Sequence, residues 1–492
     1  MTARLNTPLS KQARTIAEKI LDCRRALVAS HIDADGISAA SIASSALENA
    51  GIEHEVIFLK KLDDAAIEDL RKKAESALVW LTDLGSAFAS RFAGSDVVIT
   101  DHHQTESQLQ EHRKSTQTTI FAYGGPMHLN PFFFGFAGAR DISGAGLAFL
   151  VAYEMDERNK SLVHLPVIGA IGDIQDLETR KLIGLNAKLV DFGVKLGALK
   201  RTRDLRFFGL ETRSLQRLLE FASDPYLPGL SNNPVACDEF LKRLKIEAMR
   251  GEAPVHWSEL ADKEKHRIIS ELSRLILENG GDEKDVERLT GEVYIFPSEP
   301  KGSPTREARE FATLLNSCGR NDMPELGLEI CKGDRGEKLS QAFELLKEHR
   351  ENLSNALMFV RDMGITAIGS IQYFHCADQV KDTILGAIVG ILLGSGEVDR
   401  EKPLVGLAIS QEKNGEYKIK ASVRTTYEIV SRGVNLAVAI KNAASAVGGI
   451  GGGHNIAAGA TLPLSTEEEF LRILDNQIRT QLQVSAKSST AF

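Results

Sequence analysis

The sequence predicts an α/β protein whose N-terminal part is a doubly wound, parallel sheet. Short apolar runs alternate with segments of helical length and period, as they do where helices cover both faces of a parallel sheet. Several of these runs end in Asp or His, and the C-terminal ends of parallel strands are where such sheets place functional side chains. The 492 residues are 43% hydrophobic and 26% charged. That composition excludes collagen-like, coiled-coil and disordered chains, and the length indicates two to four domains.

The elements of the N-terminal part follow one another regularly. Residues 1–24 have the pattern of a helix, and the apolar run 24–31 predicts a buried strand that ends at His31. One more apolar segment, 165–176, again ends in carboxylates, and we interpret it as a strand of the same kind. The other predicted elements are helices at 37–50, 63–76 and 143–155, and strands at 54–60, 77–83 and 95–103.

The rest of the chain is divided by two changes of character. After a first domain at 1–200, residues 201–303 are charged and helical in period, and we predict a helical linker or insertion there. The α/β pattern then returns in a second domain at 304–485. The tail 486–492 is predicted to be disordered.

Composition and charge exclude several classes of protein. A net charge of −8 argues against a non-specific duplex-binding protein, although a local basic groove or acids that hold metal remain open. The five cysteines show no zinc-finger or CxxC spacing, so we expect neither a disulfide framework nor a structural zinc. The longest apolar stretch, 384–394, is too short to span a bilayer, and the N-terminus lacks the apolar core of a secretory signal. We therefore expect a cytoplasmic protein without membrane association.

Four segments bring carboxylates and imidazoles to the ends of apolar runs. The first carries His31, Asp33 and Asp35, which would share a face if the strand continued through them. Gly36 would then allow a tight exit into the following helix. The other three segments supply Asp83, then Asp101, His102 and His103, and finally Asp173 and Asp176. Because the C-terminal ends of parallel strands meet at one edge of the sheet, we expect these side chains to gather there.

This set of side chains predicts a site for divalent cations. Hard oxygen donors with a few imidazoles favour Mn²⁺ or Mg²⁺ over the metals that bind thiolates. Two such ions, bridged by a carboxylate, can generate hydroxide and stabilise the attacking and leaving oxygens of a phosphoryl transfer. A single Asp at a strand end is more often a helix cap or a turn residue. Three ligand-type residues on one face would repel one another without a cation, however, and four such segments make a metal site the better interpretation.

The order of these motifs resembles that of the DHH phosphoesterase superfamily. HIDADG, TDLG, DHH and IGD are similar to its four motifs, and GGGHNIAAGA resembles the substrate-binding element of the DHH-associated C-terminal domain. HLNP, SGAGLAF and REAREFATLLNSCGR resemble the RecJ branch. The chain looks most like the archaeal RecJ-like single-strand exonucleases of the GINS-associated nuclease type. The resemblance implies an N-terminal DHH domain, a C-terminal α/β DHH-associated domain and an active-site cleft between them.

The resemblance also implies roles for individual residues. His103 matches a histidine that contacts the scissile phosphate, and Asp101 would orient its neighbours. His31 matches the opening position of the first motif, with a possible ligand role, and the implied catalytic group is Asp83, Asp101, His102 and His103. Two Mn²⁺ or Mg²⁺ ions are the implied cofactors. The positions that match metal ligands are Asp33, Asp35, Asp83, His102 and Asp173, with Asp83 as the bridging ligand.

Glycines and basic residues outside the metal motifs are candidates for binding the substrate. The GGIGGGH segment would let the backbone N–H groups of Gly451, Gly452 and Gly453 approach an anion, with His454 as a further donor. Alone, this segment would be a flexible turn before a strand. Arg424 is either a phosphate contact or a solvated strand residue.

Other basic residues have two interpretations each. Arg320 either lines the cleft or caps the end of its helix. The run Lys200, Arg201, Arg203 and Arg206 is either a track for single-stranded nucleic acid or, as we slightly prefer, a solvated helix face.

The leading hypothesis is a metal-dependent exonuclease that hydrolyses phosphodiester bonds of single-stranded DNA or RNA in replication or repair. RecJ relatives act from the 5′ end of single-stranded DNA. One alternative is a phosphodiesterase of short oligonucleotides or cyclic dinucleotides, against which the helical insertion argues. Another is a replisome scaffold that binds GINS and the replicative helicase. The retained ligand set argues against the scaffold, because inactive relatives lose metal ligands.

Overall fold

The structure is a computed structural model that describes residues 7–106, 127–222, 224–395, 397–412, 415–453 and 455–489. It divides into two compact units. The first comprises Met1–Ala222 and Leu227–Leu346, and the second Ser223–Tyr226 and Lys347–Phe492. Among the described residues, no helix is both long enough and apolar enough to cross a membrane.

The first unit is built on a five-stranded parallel sheet, as the sequence predicts. The order across the sheet is β2-β1-β3-β4-β5, and every neighbouring pair is parallel. The strands are β1 (Arg25–His31), β2 (Glu53–Leu59), β3 (Leu78–Thr82), β4 (Val97–Thr100) and β5 (Met127–Leu129).

Helices cover both faces of this sheet. Alternate residues of β1 and β3 enter two different apolar cores, so Val28 and Trp80 pack on one side and Leu27 and Leu81 on the other. Side-chain oxygens of Thr7, Asp33, Asp63 and Ser143 cap the N-termini of four helices and so fix where each begins. The helices up to residue 195 are α1 (Pro8–Leu21), α2 (Ala34–Ala50), α3 (Asp64–Ala74), α4 (Gly144–Met155), α5 (His164–Gly172) and α6 (Gly184–Lys195).

The prediction of a strand at 165–176 is wrong, because this segment forms helix α5. Residues 165–171 are buried all round, and an apolar run without alternation fits a buried helix as well as a buried strand. Gly172 lets α5 pack closely on α2, since a Cβ there would lie 2.6 Å from the Cβ of Ala34.

The middle of the chain contains a core of its own. Ile268, Leu272 and Ile276, which recur at helical spacing on one helix, are buried in it. The small sheets here are β6 (Lys200–Leu205) with β9 (Thr290–Ile295) and β7 (Met249–Arg250) with β8 (Ala253–Pro254). The helices are α7 (Leu215–Glu220), α8 (Pro234–Arg243), α9 (Asp262–Glu278) and α10 (Glu283–Glu287).

The basic run at 200–206 is not a helix face. Residues 200–205 form β6, along which Lys200, Arg201 and Arg203 are exposed, and Arg206 follows the strand. Arg206 is only 6% exposed and lies 2.6 Å from a carboxylate oxygen of Asp176. The run therefore lacks the helical period that we expected, and its last arginine is an internal ion-pair partner.

The first unit closes with helices α11 (Ala308–Arg320) and α12 (Pro324–Cys331). Helix α13 (Glu337–Met363) contains the boundary between the two units. The division of the chain at 1–200, 201–303 and 304–485 stays a prediction.

The second unit contains a six-stranded mixed sheet in the order β10-β11-β12-β13-β15-β14. Within this sheet β11 and β12 pair in parallel, and the other neighbouring pairs are antiparallel. The strands are β10 (Thr366–Ile368), β11 (Ile371–His375), β12 (Leu404–Gln411), β13 (Tyr417–Arg424), β14 (Ile450–Gly453) and β15 (Ala457–Pro463). The helices are α14 (Asp382–Gly394), α15 (Tyr427–Ser431), α16 (Leu436–Ala446) and α17 (Glu467–Ser489). Residues 486–489 of the predicted disordered tail belong to α17, and residues 490–492 lie outside the described part.

Candidate metal centre

The centre lies at the C-terminal edge of the parallel sheet, where the chain order reverses. β1 lies between β2 and β3, so the chain leaves β1 in one direction and β3 continues the sheet in the other. Such a switch point opens a crevice between the two strand ends. Asp33 follows β1 and Asp83 follows β3, which places both carboxylates at this crevice.

The first motif does not continue the strand, and our expectation that three alternate residues share one strand face is wrong. β1 ends at His31, and Asp33 caps helix α2 by accepting the N–H of Gly36 at 2.9 Å. Asp35 lies inside the first turn of α2. Gly36 is required here, because a Cβ would lie 2.2 Å from the carbonyl oxygen of His31. The turn therefore directs Asp33 and Asp35 into different groups of ligands.

The potential ligands form three groups, within each of which the ligand atoms lie within 4.8 Å of one another. The first group is Asp83, His102 and His103, the second is His31, Asp33 and Asp83, and the third is Asp35, His102 and Asp173. Asp83 therefore links the first and second groups, and His102 links the first and third. Every residue that we predicted as a metal ligand therefore takes part in at least one group.

His102 stands between the carboxylates. Its Nε2 lies 3.2 Å from Asp83 Oδ1, 3.1 Å from Asp173 Oδ2 and 3.7 Å from Asp35 Oδ2. Its Nδ1 donates to the carbonyl of Gly138 at 2.9 Å. That hydrogen bond leaves the lone pair of Nε2 directed at the carboxylates, as in histidines that bind metals.

The polar atoms at this point fit a cation. Both oxygens of Asp83 and the Nε2 of His102 are buried, and none of the three makes a hydrogen bond of good geometry. Buried polar atoms nearly always find a partner, so this convergence of acceptors is unfavourable without a positive charge. Carboxylate oxygens and an imidazole are also the donor types that Mn²⁺ prefers.

Two glycines bring helices against these carboxylates. A Cβ on Gly144 would lie 2.8 Å from Asp83 Oδ1, and one on Gly169 would lie 2.1 Å from Asp35 Oδ1. The N–H groups of Gly144 and Ala145 donate to Asp35 at 2.6 and 3.0 Å. Asp35 thus receives the positive end of helix α4, which stabilises its negative charge.

Burial and the close approach of several carboxylates shift the pKa values of the groups at this centre. Burial, with the added charge of Asp173, raises the pKa of Asp35 to about 6. Burial and the charge of Asp35 raise the pKa of Asp83 well above its usual range. Burial also opposes protonation of His102, but the neighbouring Asp173 and Asp83 outweigh it and raise the pKa of the imidazole. A divalent cation would relieve this repulsion.

The third motif positions its own second histidine. Asp101 accepts the backbone N–H and the Nδ1 hydrogen of His103, at 3.1 and 2.8 Å, and the N–H of Ser86 at 2.7 Å. Burial opposes the charge of Asp101, but the hydrogen bond and charge of His103 hold its pKa below the usual range. The side chain of His103 is 57% exposed, so it stands at the solvent side of the centre.

The sequence interpretation missed the residues that support this motif. Asn130 donates to Ser86 Oγ and to the carbonyl of His103, at 2.8 and 2.9 Å. Gln175 donates to the carbonyl of Gly138 at 3.0 Å. Asn130 lies in the HLNP motif, which was a usable signal, whereas nothing in the sequence pattern distinguishes Gln175.

Two families of domain match this chain. The DHH-CID domain matches residues 207–290, and the DHHA1 domain matches residues 369–480. Both are domains of the DHH superfamily, which this chain therefore resembles, and its fold is RecJ-like. An uncharacterized protein of Methanocaldococcus jannaschii is 28% identical over 478 residues, which are 96% of this chain and 98% of that protein.

Solved structures share this fold at low sequence identity. RecJ from Thermus thermophilus, in complex with Mn²⁺, gives a TM-score of 0.57 at 16% identity. The superposition covers 97% of this chain but only 56% of that one. CDC45 from Entamoeba histolytica gives a TM-score of 0.64 at 10% identity, over 96% of this chain and 98% of that one.

The predicted substrate-binding glycines lie in the DHHA1 domain, on the edge strand β14 rather than in a turn. Gly451 packs on α16, since a Cβ there would lie 2.9 Å from side-chain and backbone atoms of Ile440. A Cβ on Gly452 would meet open space. His454 lies outside the described residues. Close packing therefore accounts for Gly451, and Gly452 faces an accessible surface.

Arg424 is half-buried against helix α14 rather than solvated. Its Nε donates to the carbonyl of Gly386 at 2.9 Å, and burial lowers the pKa of its guanidinium. A groove of about 640 Å³ opens beside the glycine strand within this domain. Its lining residues are Asp382, Leu385, Gly386, Lys420, Ala421, Ser422, Ile450, Gly451, Gly452, Gly459, Ala460 and Thr461.

Arg320 lies in the first unit, at the end of α11. Partial burial lowers the pKa of its guanidinium, and the charge of Asp33 acts in the opposite direction. The arginine is therefore close enough to the metal centre for the two charges to interact. Arg424 and the glycines of β14 belong to the other unit.

Proposed function

We propose that this protein is a metal-dependent exonuclease that hydrolyses phosphodiester bonds of single-stranded DNA or RNA. The observation that carries the proposal is the convergence of Asp83 and His102, whose buried Oδ1, Oδ2 and Nε2 atoms make no hydrogen bond of good geometry. A RecJ-like fold around this convergence supports phosphodiester chemistry in particular.

The proposed cofactors are two Mn²⁺ or Mg²⁺ ions. One would be held by His31, Asp33 and Asp83, and the other by Asp35, His102 and Asp173, with Asp83 bridging them. When bound, such ions supply Lewis acidity that activates water and neutralises the charge on the phosphate. RecJ from Thermus thermophilus was solved in complex with Mn²⁺ and with Mg²⁺, which supports this choice of metal.

The chain's own residues would hold the substrate. We propose that His103 contacts the scissile phosphate, because it is exposed beside the centre and Asp101 fixes its ring through Nδ1. Arg320 would add positive charge near Asp33. In the DHHA1 domain, Arg424, Gly451, Gly452, Gly453 and His454 are the proposed contacts to the nucleic acid. A 5′-to-3′ direction, a role in replication or repair and a cytoplasmic location complete the proposal.

Digestion of end-labelled single strands tests this function. With Mn²⁺ present, we expect 5′-labelled single-stranded DNA or RNA to release short products first, and Asp83→Ala to abolish release. A metal-independent signal, or full activity in Asp83→Ala, would contradict the proposal. The same assay with dinucleotides and cyclic dinucleotides tests the alternative, since cleavage of those substrates alone would favour a small-molecule phosphodiesterase.

A replisome scaffold is the second candidate, and the similarity to CDC45 favours it. The complete ligand set argues that scaffolding is not the whole function. Co-purification with GINS and replicative helicase subunits tests the scaffold. Stable binding together with an inactive wild-type protein would favour the scaffold over the nuclease.

A further inference from the structure

Helix α11 packs directly against the turn that carries two of the proposed ligands. The side-chain Oδ1 of Asn316 accepts the backbone N–H of Ala34 at 2.9 Å. Ala34 stands between Asp33 and Asp35 and is fully buried. The first N–H groups of a helix have no partner within it, so Asn316 supplies a partner that α2 itself cannot.

Helix α11 also approaches the backbone of the turn so closely, at Gly319, that a residue with a side chain would not fit there. A Cβ on Gly319, three residues after Asn316, would lie 1.8 Å from the carbonyl oxygen of Ile32. Gly319 is itself buried. One face of α11 thus holds Ile32 by close approach and Ala34 by a hydrogen bond, on either side of Asp33.

The other end of the same helix reaches the turn that follows Asp173. Arg309 Nη2 lies 2.8 Å from Asp176 Oδ2, and Arg206 lies 2.6 Å from the same oxygen. Asp176 is fully buried, so the two arginines fix its position. Because Asp176 is only three residues from Asp173, this ion pair anchors the turn that presents Asp173 to His102.

We propose that α11 is the positioning helix of the metal centre and that Asn316 is its principal positioning residue. The hydrogen bond that Asn316 accepts comes from the backbone and not from a ligand side chain. It fixes the backbone between Asp33 and Asp35, so that their carboxylates are held where cations would bind. The inference rests on the proposed function only in requiring that this centre binds divalent cations.

Titration of the metal-free protein with Mn²⁺ by calorimetry tests the inference. We expect Asn316→Leu to weaken Mn²⁺ binding by about tenfold or more, the effect typical of lost support for metal ligands. Thr313→Val is the matched control, because Thr313 lies one turn earlier and its hydroxyl donates to the backbone carbonyl of Arg309 within the same helix. Thr313→Val should bind Mn²⁺ as the wild type does, and both variants should melt within a few degrees of it.

A third variant separates positioning from packing. Asn316→Asp keeps an acceptor of the same shape, and at high ionic strength, where its added charge is screened, it should restore most of the affinity. If Asn316→Leu does not fold, Asn316→Ala replaces it. Wild-type Mn²⁺ affinity in the folded Leu or Ala variant would overturn the inference. A wild-type protein that binds Mn²⁺ but cleaves no nucleic acid would overturn the proposed function and leave the inference standing.

Discussion

Asp83 and Asp101 are both buried acids, yet their surroundings are opposite. Asp83 has a positive φ of 57°, its oxygens make no hydrogen bond of good geometry, and burial together with the neighbouring acids raises its pKa. Asp101 accepts hydrogen bonds from Ser86 and His103, and its pKa is lowered. The first carboxylate is arranged to receive a cation, and the second is satisfied by the protein alone.

This contrast predicts opposite effects of two isosteric substitutions on the metal-free protein. Asp83→Asn removes a repelled charge, and Asn tolerates a positive φ, so we expect a gain of about 2 kcal/mol in the free energy of unfolding. Asp101→Asn replaces one of the two oxygens that together accept three hydrogen bonds with an NH2 donor, and it should cost about 1–3 kcal/mol. Chemical denaturation in a chelator measures both, and a loss of stability in Asp83→Asn would contradict this interpretation.

The residue types of the site could be predicted from the sequence, but their grouping could not. Asp and His at the ends of apolar runs identified the candidate ligands, because strand ends of a parallel sheet converge. Asp173 reaches the same place from the end of helix α5 and not from a strand. That Asp33 and Asp35 enter different groups depends on where β1 ends and α2 begins. Asn316 and Gln175 act through backbone atoms of distant segments, and no local pattern records such contacts.

At the scale of elements, the close approach of helices decides the geometry of the site. Gly169 lies within α5, where a Cβ would lie 2.1 Å from Asp35 Oδ1. The predicted strand at this place would have offered no such approach. A uniformly buried run of this length gives no periodicity, so the sequence could not distinguish the two structures.

A pair of helical glycines tests this element. Gly169→Ala should weaken Mn²⁺ binding by at least about tenfold, because the added methyl displaces the Asp35 carboxylate. Gly193→Ala is the control, since its Cβ would meet a Leu199 side-chain carbon at 2.5 Å, which can shift. It should cost about 1–3 kcal/mol of stability with Mn²⁺ affinity unchanged. Equal affinities in the two variants, measured by calorimetry, would contradict the account.

Helix α11 also carries a group that should make stability depend on pH. Glu307 caps this helix, and burial raises its pKa from 4.5 to about 7. Between these values the folded protein retains a proton that the unfolded chain has lost, so this group's contribution to stability falls as the pH rises. Over that range the loss amounts to about 3 kcal/mol.

Glu307→Gln removes this titration. The free energy of unfolding of the variant minus that of the wild type should increase by about 3 kcal/mol between about pH 5 and 8. Any fixed cost of the amide at a carboxylate site is the same at each pH and cancels in that comparison. Denaturant titrations of both proteins at several pH values measure this difference in the free energy of unfolding. A difference that stays constant with pH would show that Glu307 is ionised normally.

At the scale of the whole molecule, the proposed metal ligands and the glycine strand with Arg424 lie in different units. Every proposed metal ligand lies within Met1–Ala222, and the described glycine strand and Arg424 lie within Lys347–Phe492. Each unit has its own apolar cores, so each should fold alone. A fragment of residues 1–346 should bind Mn²⁺ with the affinity of the full chain, and a fragment of residues 347–492 should not bind it. Loss of binding in the first fragment would show that the centre needs the second unit.

The parallel sheet could be predicted, because alternating strands and helices leave a clear pattern. The α/β pattern expected from residue 304 begins with helices of the first unit, and the next strand, β10, starts only at Thr366. The order β2-β1-β3-β4-β5 could not be predicted, since it depends on which strands pair across long connections. The pairing of β6 with β9 was missed for the same reason, because a long stretch of mostly helical sequence separates these strands. The local sequence pattern therefore predicted a helical insertion and did not predict strands β6 and β9.

The most direct test of the central claim is anomalous diffraction from crystals of the full chain grown with Mn²⁺. The account predicts two peaks about 3.5–4 Å apart, both within bonding distance of Asp83, with His102 and Asp173 beside one of them. A single peak away from Asp83, or no peak in this crevice at saturating Mn²⁺, would contradict it.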